Sequence, residues 1–126
     1  EKKFLFNWIL KNLKQKKQFS GFTNIFFNPL DVQNLSRCIL ELAELKYIGI
    51  LHIGSDKIYS KYEFAKIIAK KLKFDTSLVI GGDIEDLKLI AKRPHNTSLN
   101  NKLAKQLLKN QPQNLEPWLD KMKNLL

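Results

Sequence analysis

Three consecutive stretches decide the fold class: Phe19-Ser-Gly-Phe-Thr-Asn-Ile-Phe-Phe27, the turn Asn28-Pro29-Leu30-Asp31, and the run Val32, Leu35, Ile39, Leu42, Ala43. The first alternates loosely, with Gly21 and Asn24 as breakers, and reads as an extended segment or short strand. Pro29 pushes the residue before it away from helix, so the chain turns there. Asp31 then offers its carboxylate to the unpaired amides of a first helical turn. The apolar residues after it recur at helical spacing and predict a helix with that face in the core, Cys38 included. A strand followed by an amphipathic helix is the start of an α/β pattern.

The pattern continues outward in both directions. Ile48-Gly-Ile-Leu-His-Ile53, closed by Gly54, has the length and β-branched content of a buried strand. Ser60-Lys-Tyr-Glu63 is a capping box, in which serine and glutamate each satisfy an amide at a helix start. Phe64, Ile67, Ile68 and Leu72 follow at helical spacing. Leu78-Val79-Ile80 predicts a short strand ended by Gly81-Gly82, and residues 83–89 a helical turn. Residues 91–98 are irregular and contain Arg93-Pro94; residues 99–109 predict a helix with Leu103 and Leu107 on one side. After Pro112, the residues Leu115, Trp118, Leu119, Met122, Leu125 and Leu126 form one stripe, and Pro117 fits a first turn, where a missing amide hydrogen costs nothing. Upstream, Phe4, Leu5, Trp8, Ile9 and Leu13 predict a helix over residues 3–16. The expected fold is α/β, a small mixed domain of about five helices with two or three short strands.

A chain of 126 residues fits one domain with one core. No apolar run approaches the ~20 residues a bilayer span needs. The apolar stretch after Glu1-Lys2-Lys3-Phe4 is broken by Asn7, Lys11 and Lys14, unlike a signal peptide. Cys38 is the only cysteine, which excludes an intramolecular disulfide and makes a cytoplasmic, reducing setting the simplest expectation. The formal net charge of +10 raises nucleic acid as a partner, but the lysines are spread along the whole chain. The densest cluster, Lys14-Gln15-Lys16-Lys17, lies where a helix should end and where cations favour the helix dipole. No specific nucleic-acid face is expected.

Catalytic signals are missing. No glycine-rich phosphate cradle opens a helix, and Gly81-Gly82 reads as a turn. His52 and His95 do not pair with cysteine or carboxylate at metal-ligand spacing. His52 is expected to be a hydrogen-bonded residue within a strand, and His95 an exposed loop residue. Cys38 is expected to be buried and unreactive. Tyr59 and Tyr62 flank Lys61, but this is not a Tyr-x-x-x-Lys pair, whose spacing puts phenol and ammonium on one helix face.

Four stretches in this order carry a resemblance: Phe22-Thr-Asn-Ile-Phe-Phe-Asn-Pro29 with its Asp31-capped helix, Gly49-Ile-Leu-His-Ile-Gly54, Ser60-Lys-Tyr-Glu-Phe-Ala65, and Arg93-Pro-His-Asn-Thr-Ser-Leu-Asn100. Together they resemble the carboxy-terminal half of dTDP-4-dehydrorhamnose reductases, in the extended short-chain dehydrogenase/reductase group. The closing Glu116-Pro-Trp-Leu-Asp-Lys-Met122 is similar to that family's last helix, so the likeness covers nearly the whole chain. The resemblance implies a nucleotide-sugar-binding domain spanning residues 1–126. The Rossmann half, with its NADPH or NADH and Tyr/Lys pair, would precede it in a longer chain, as the absence of an initiator Met also suggests. The implied reaction is hydride transfer to C4 of a nucleotide-linked 4-keto-6-deoxy sugar, in the synthesis of dTDP-rhamnose and surface polysaccharide.

Residue by residue, the resemblance places Arg93 in the nucleotide-sugar cleft, where a guanidinium fork matches diphosphate oxygens. It places Asn28 and Pro29 at a turn in the cleft wall, and Phe4 and Lys3 at the helix start beside the sugar nucleotide. Lys3 stands where members of the family often have Asn. No catalytic or cofactor-binding residue is expected. Some members dimerise through a metal bridged by acidic side chains. Glu116 is retained there but Gln33 replaces the other carboxylate, and an amide is a poorer ligand for a hard cation, so no metal site is expected. The expected partners are a nucleotide-diphosphate sugar and the Rossmann half, with a homodimer left open and no membrane. Three readings stay beside the reductase: the same lobe of an epimerase or dehydratase, a non-catalytic regulatory subunit of this fold, and a basic nucleic-acid-binding domain.

Overall fold

Strands β1 (Phe19–Phe22) and β4 (Val79–Gly82) run parallel, Phe19 beside Val79 and Phe22 beside Gly82. A second pair, β2 (Phe26–Phe27) and β3 (Tyr59–Ser60), is antiparallel. The computed structural model describes residues 4–124, and within them the helices are α1 (Leu5–Lys14), α2 (Val32–Glu44), α3 (Lys61–Lys71), α4 (Lys102–Leu107) and α5 (Glu116–Met122). Short 3-10 turns occupy Thr76–Leu78 and Ile84–Asp86. None of the described helices is long and apolar enough to cross a membrane.

The caps read in the sequence are formed. Asp31 accepts the Asn34 amide at 2.9 Å. Ser60 Oγ accepts the Glu63 amide at 3.0 Å, and Glu63 Oε2 accepts the Ser60 amide at 2.7 Å. Helices α1, α2 and α3 end with one device. Lys16, Lys46 and Lys73 adopt the left-handed conformation (φ 53°, 51° and 61°). In each case the next amide, of Lys17, Tyr47 or Phe74, reaches back to a carbonyl five residues earlier. Glycine is the usual residue at this point; lysine accepts some backbone strain there but puts a cation beside the helix carbonyls.

The main core lies where α1, α3 and α5 meet β1 and β4. Ile9, Leu13, Phe19, Phe64, Ile68, Val79 and Leu119 are buried in it. Edge-to-face pairs Trp8–Phe19, Phe27–Phe64 and Phe6–Trp118 extend it to the surface. A smaller cluster of Cys38, Ala104 and Leu108 sits under α2, with Leu42, Leu51 and Ile53 against it.

Four strands are present among the described residues where two or three were expected, but one predicted strand did not form. Residues 48–53 form no strand: Gly49 bends the chain at φ 134°, the Ile50 carbonyl accepts the Tyr47 hydroxyl at 3.3 Å, and Ile48 and Ile50 are 94% and 85% exposed. His52 is exposed as well, rather than a hydrogen-bonded strand residue. Only part of the apolar face expected to bury α2 is covered: Cys38 is buried with Leu42 packed beside it, but Val32 and Ile39 are 73% and 54% exposed. Its buried residues are Asn34, Cys38 and Glu41. The physical reason lies in residues 109–113, which cross α2 without a strand partner. Asn34 donates to the Gln111 carbonyl and accepts the Gln113 amide; Glu41 accepts the amides of Lys109 and Asn110 at 2.6 and 2.7 Å. Backbone groups partly shielded from water need partners, and the polar side of α2 supplies them. Those amides, Asn110 first and then Lys109, hold the Glu41 carboxyl below its usual range. Cys38 is fully buried, with its thiol near the Asn110 carbonyl, and burial pushes its pKa up. In α4, Ala104 and the following Leu108 face inward, while Leu103 and Leu107 stay substantially exposed.

Candidate functional site

A cavity of about 440 Å³ opens between α1, β1 and the first turn of α3. Trp8, Ile9, Phe19, Ile25 and Ile84 give it apolar walls, and Lys61 and Arg93 are its only charged lining residues among those described. Gly21 sets its depth. A Cβ there would lie 2.7 Å from the Tyr62 Cα, so only glycine lets the start of α3 press this close to β1. The Lys61 amide donates to the Ile25 carbonyl at 2.9 Å, fixing the first residue of α3 over the cavity wall.

The loop carrying Arg93 is clamped at both ends by one short segment. Upstream, Asn24 Nδ2 donates to Asp83 Oδ1 at 2.6 Å, and Asn24 Oδ1 accepts the Ile84 amide at 3.1 Å. Downstream, the Phe26 amide donates to the His95 carbonyl at 2.7 Å, and the Thr97 amide to the Phe26 carbonyl at 2.9 Å. These two clamps hold the loop with an exposed Arg93 at the cavity edge. The Glu85 amide and Asn24 also keep the Asp83 carboxyl below its usual range. His95, exposed as expected, lies 3.1 Å from Glu85.

Lys61 has a different environment. Its ammonium sits 3.2 Å from the centre of the Phe27 ring, a cation–π contact. Burial pushes its pKa below the usual lysine range. No carboxylate is paired with it among the described residues, whereas Lys57, Lys71 and Lys105 each meet one.

Of the residues singled out in the sequence, Arg93 lines this cavity. Asn28 does not: it is buried, donates to the carbonyls of Ser55 and Leu99 at 2.8 and 2.9 Å, and accepts the Leu99 amide at 2.8 Å. It ties three loops together, and a Cβ on Gly54 would overlap it at 2.5 Å. Pro29 beside it is half-buried and does not reach the cavity lining. Phe4 is 69% exposed at the start of α1, and Lys3 lies outside the described residues. Glu116 takes part in an internal network. Its Oε1 accepts from Lys57 at 2.7 Å and from Tyr59 at 2.9 Å, and burial, then this hydrogen bond, raises the Tyr59 pKa. Gln33 is exposed on α2. No group of three potential metal-ligating side chains occurs among the described residues.

Sequence reasoning missed Lys61, Trp8 and Asn24 as parts of the site. Trp8 was read only as a core position, and Asn24 only as a strand breaker. The signal available for Lys61 was its place as the first residue after a capped strand-to-helix junction. Its aromatic seat, Phe27, is far away in the chain.

The fold matches that of solved nucleotide-sugar enzymes. A dTDP-4-dehydrorhamnose reductase from Bacillus anthracis, in complex with NADP, superposes with a TM-score of 0.84 at 20% identity, over 100% of this chain and 44% of that one. A hypothetical dTDP-4-dehydrorhamnose reductase from Sulfolobus tokodaii is 30% identical, with a TM-score of 0.74 over 85% of this chain and 38% of that one. A dTDP-glucose 4,6-dehydratase from Bacillus anthracis, in complex with NAD, has a TM-score of 0.75 at 14% identity, over 96% of this chain and 38% of that one. The chain therefore spans less than half the length of these enzymes, and matches them as one lobe of a longer protein. No curated protein matches the sequence. The sequence model for the RmlD substrate binding domain matches residues 1–126, and the chain belongs to that family.

Proposed function

We propose that this chain is the nucleotide-sugar-binding lobe of an NAD(P)H-dependent enzyme of the dTDP-4-dehydrorhamnose reductase type. The reaction would reduce the C4 keto group of a nucleotide-linked 4-keto-6-deoxy sugar. The observation that carries this reading is the cavity with apolar walls and a clamped arginine at its edge. Apolar walls suit the flat base and the deoxygenated face of the sugar, and a guanidinium fork suits the diphosphate between them. Family membership and the fold of the reductases support it.

In this reading the cofactor and the Tyr/Lys acid–base pair belong to a Rossmann half elsewhere in the longer protein. That half would cover the exposed apolar groups of α2 and of the loop after it, Val32, Ile39, Ile48 and Ile50. Residues 48–53 make no backbone ladder bonds among the described residues, and in this reading they would pair with a sheet edge of that half. A domain interface would satisfy both needs at once.

The test is a kinetic comparison in the full-length protein. Arg93→Ala should raise the KM for the nucleotide sugar about 10- to 100-fold, the worth of one charge-assisted contact, and leave NAD(P)H affinity unchanged. Unchanged kinetics reject the role of Arg93. A second reading, the same lobe in a dehydratase, is favoured by the fold shared with dTDP-glucose 4,6-dehydratase. Product analysis separates the two: a reductase consumes one NAD(P)H per turnover, whereas a dehydratase returns its cofactor and releases water.

A further inference from the structure

We infer that Lys61 is a second anion-binding residue of this cleft, holding the diphosphate of the ligand opposite Arg93. The inference rests on the nucleotide-sugar reading above and adds to it a residue that neither the family resemblance nor the motifs assigned.

Four observations converge on Lys61. It lines the same cavity as Arg93, and no acidic residue shares that lining among the described residues. Its ammonium is half-buried and rests on the face of Phe27 rather than against a carboxylate. Desolvating a cation is costly unless it is paired, and a ring quadrupole offsets only part of that cost. The lysines whose role is structural are handled differently: Lys57, Lys71 and Lys105 meet carboxylates, and Lys66 donates to the Thr76 carbonyl at 2.9 Å. Finally, the backbone of Lys61 is fixed by the capping box before it, by the Ile25 carbonyl, and by the contact of Gly21 with Tyr62. A cation that is desolvated, unpaired and rigidly mounted at a cavity wall is prepared for an anion. Phe27 holds it in place until one arrives. The apolar walls then admit the base, and the two cations flank the diphosphate.

The other features do not compete. A second depression of about 490 Å³ beside α3 mixes Lys57, Lys66 and Lys70 with Glu63, whose carboxylate is committed to the helix cap. The buried Glu41 and Cys38 are occupied with residues 109–110.

The experiment is calorimetric titration of the full-length protein with dTDP and, separately, with thymidine. Lys61→Met keeps the side-chain length over Phe27 and removes the charge; Lys61→Arg keeps the charge. The expected result is a loss of dTDP affinity of about 10- to 100-fold in Lys61→Met, with thymidine affinity unchanged, a shallower salt dependence of dTDP binding, and recovery in Lys61→Arg. A structural role alone would move dTDP and thymidine together. If the wild-type protein binds dTDP and Lys61→Met binds it equally well, the inference is overturned while the nucleotide-sugar reading stands. If the wild-type protein binds no dTDP, both fall.

Discussion

Helices α2 and α3 are 13 and 11 residues long, and each opens on a side-chain cap. Each carries apolar residues at helical spacing. In α3 that face is buried: Phe64 is 5% exposed and Ile68 0%, against β1 and β4. In α2 it is only partly covered: Cys38 is buried with Leu42 packed beside it, while Val32 and Ile39 stay mostly exposed. The difference teaches what an apolar stripe means. It states that a face is to be covered, and it is silent on what covers it. For α3 the cover is within the chain. For α2 the chain supplies the backbone of residues 109–113 on the polar side and the small cluster of Ala104 and Leu108 around Cys38 and Leu42, and it leaves Val32 and Ile39 exposed.

The comparison can be broken by mutation. The largest effect is expected from Ile68→Ala, which opens a cavity in the main core and should cost about 2–5 kcal/mol in denaturant unfolding. Gly21→Ala should follow at about 1–3 kcal/mol, because its methyl group would press on the Tyr62 backbone and part α3 from β1. Thermal unfolding reads that loss, and the same variant should narrow the cleft. The smallest effect is expected from Ile39→Lys on the open face of α2, within about 0.5 kcal/mol for the 126-residue chain. Sedimentation should show less self-association for that variant, since it places a charge in an exposed apolar patch. The same substitution in the full-length protein should cost several times more. Equal losses for Ile39→Lys and Ile68→Ala in the chain alone would show that α2 is as well covered as α3, and the distinction between the two helices would fail.

Local chemistry was read well wherever both partners lie close in the chain. The Ser60–Glu63 box, the Asp31 cap and the short turn after Gly82 are i-to-i+3 arrangements, set by nearest neighbours. The burial of Cys38, Ile68 and Leu119 was also legible, as each lies on a helical apolar or small-residue stripe that the fold closes. The reading failed where the deciding partner is distant. Residues 48–53 have every local property of a buried strand, but a strand is made by its neighbour, and none stands beside them. The inward face of α2 was misjudged because Asn34 and Glu41 answer backbone groups some 70 residues away, which no periodicity reports.

The site divides along the same line. Arg93 was singled out through a motif, Arg-Pro in an irregular loop, whose signal lies in its neighbours in sequence, and it lines the cavity. Asn28 was noticed by the same route, yet its amide is spent on Ser55 and Leu99, and only their three-dimensional meeting shows it. Lys61 was passed over as a residue within a capping box. Its aromatic seat on Phe27 and its share of a cavity with Arg93 arise when β2 and β3 pair and α3 packs on β1.

The sequence by itself determined the helices, their caps, the turn at Asn28-Pro29 and the family resemblance, because these depend on spacing and on neighbours within a few residues. Only the tertiary structure decided which apolar faces the chain covers for itself, and which cations end beside one cavity. Both depend on contacts between segments far apart in the chain, where burial and pairing, rather than local propensity, set the free energy.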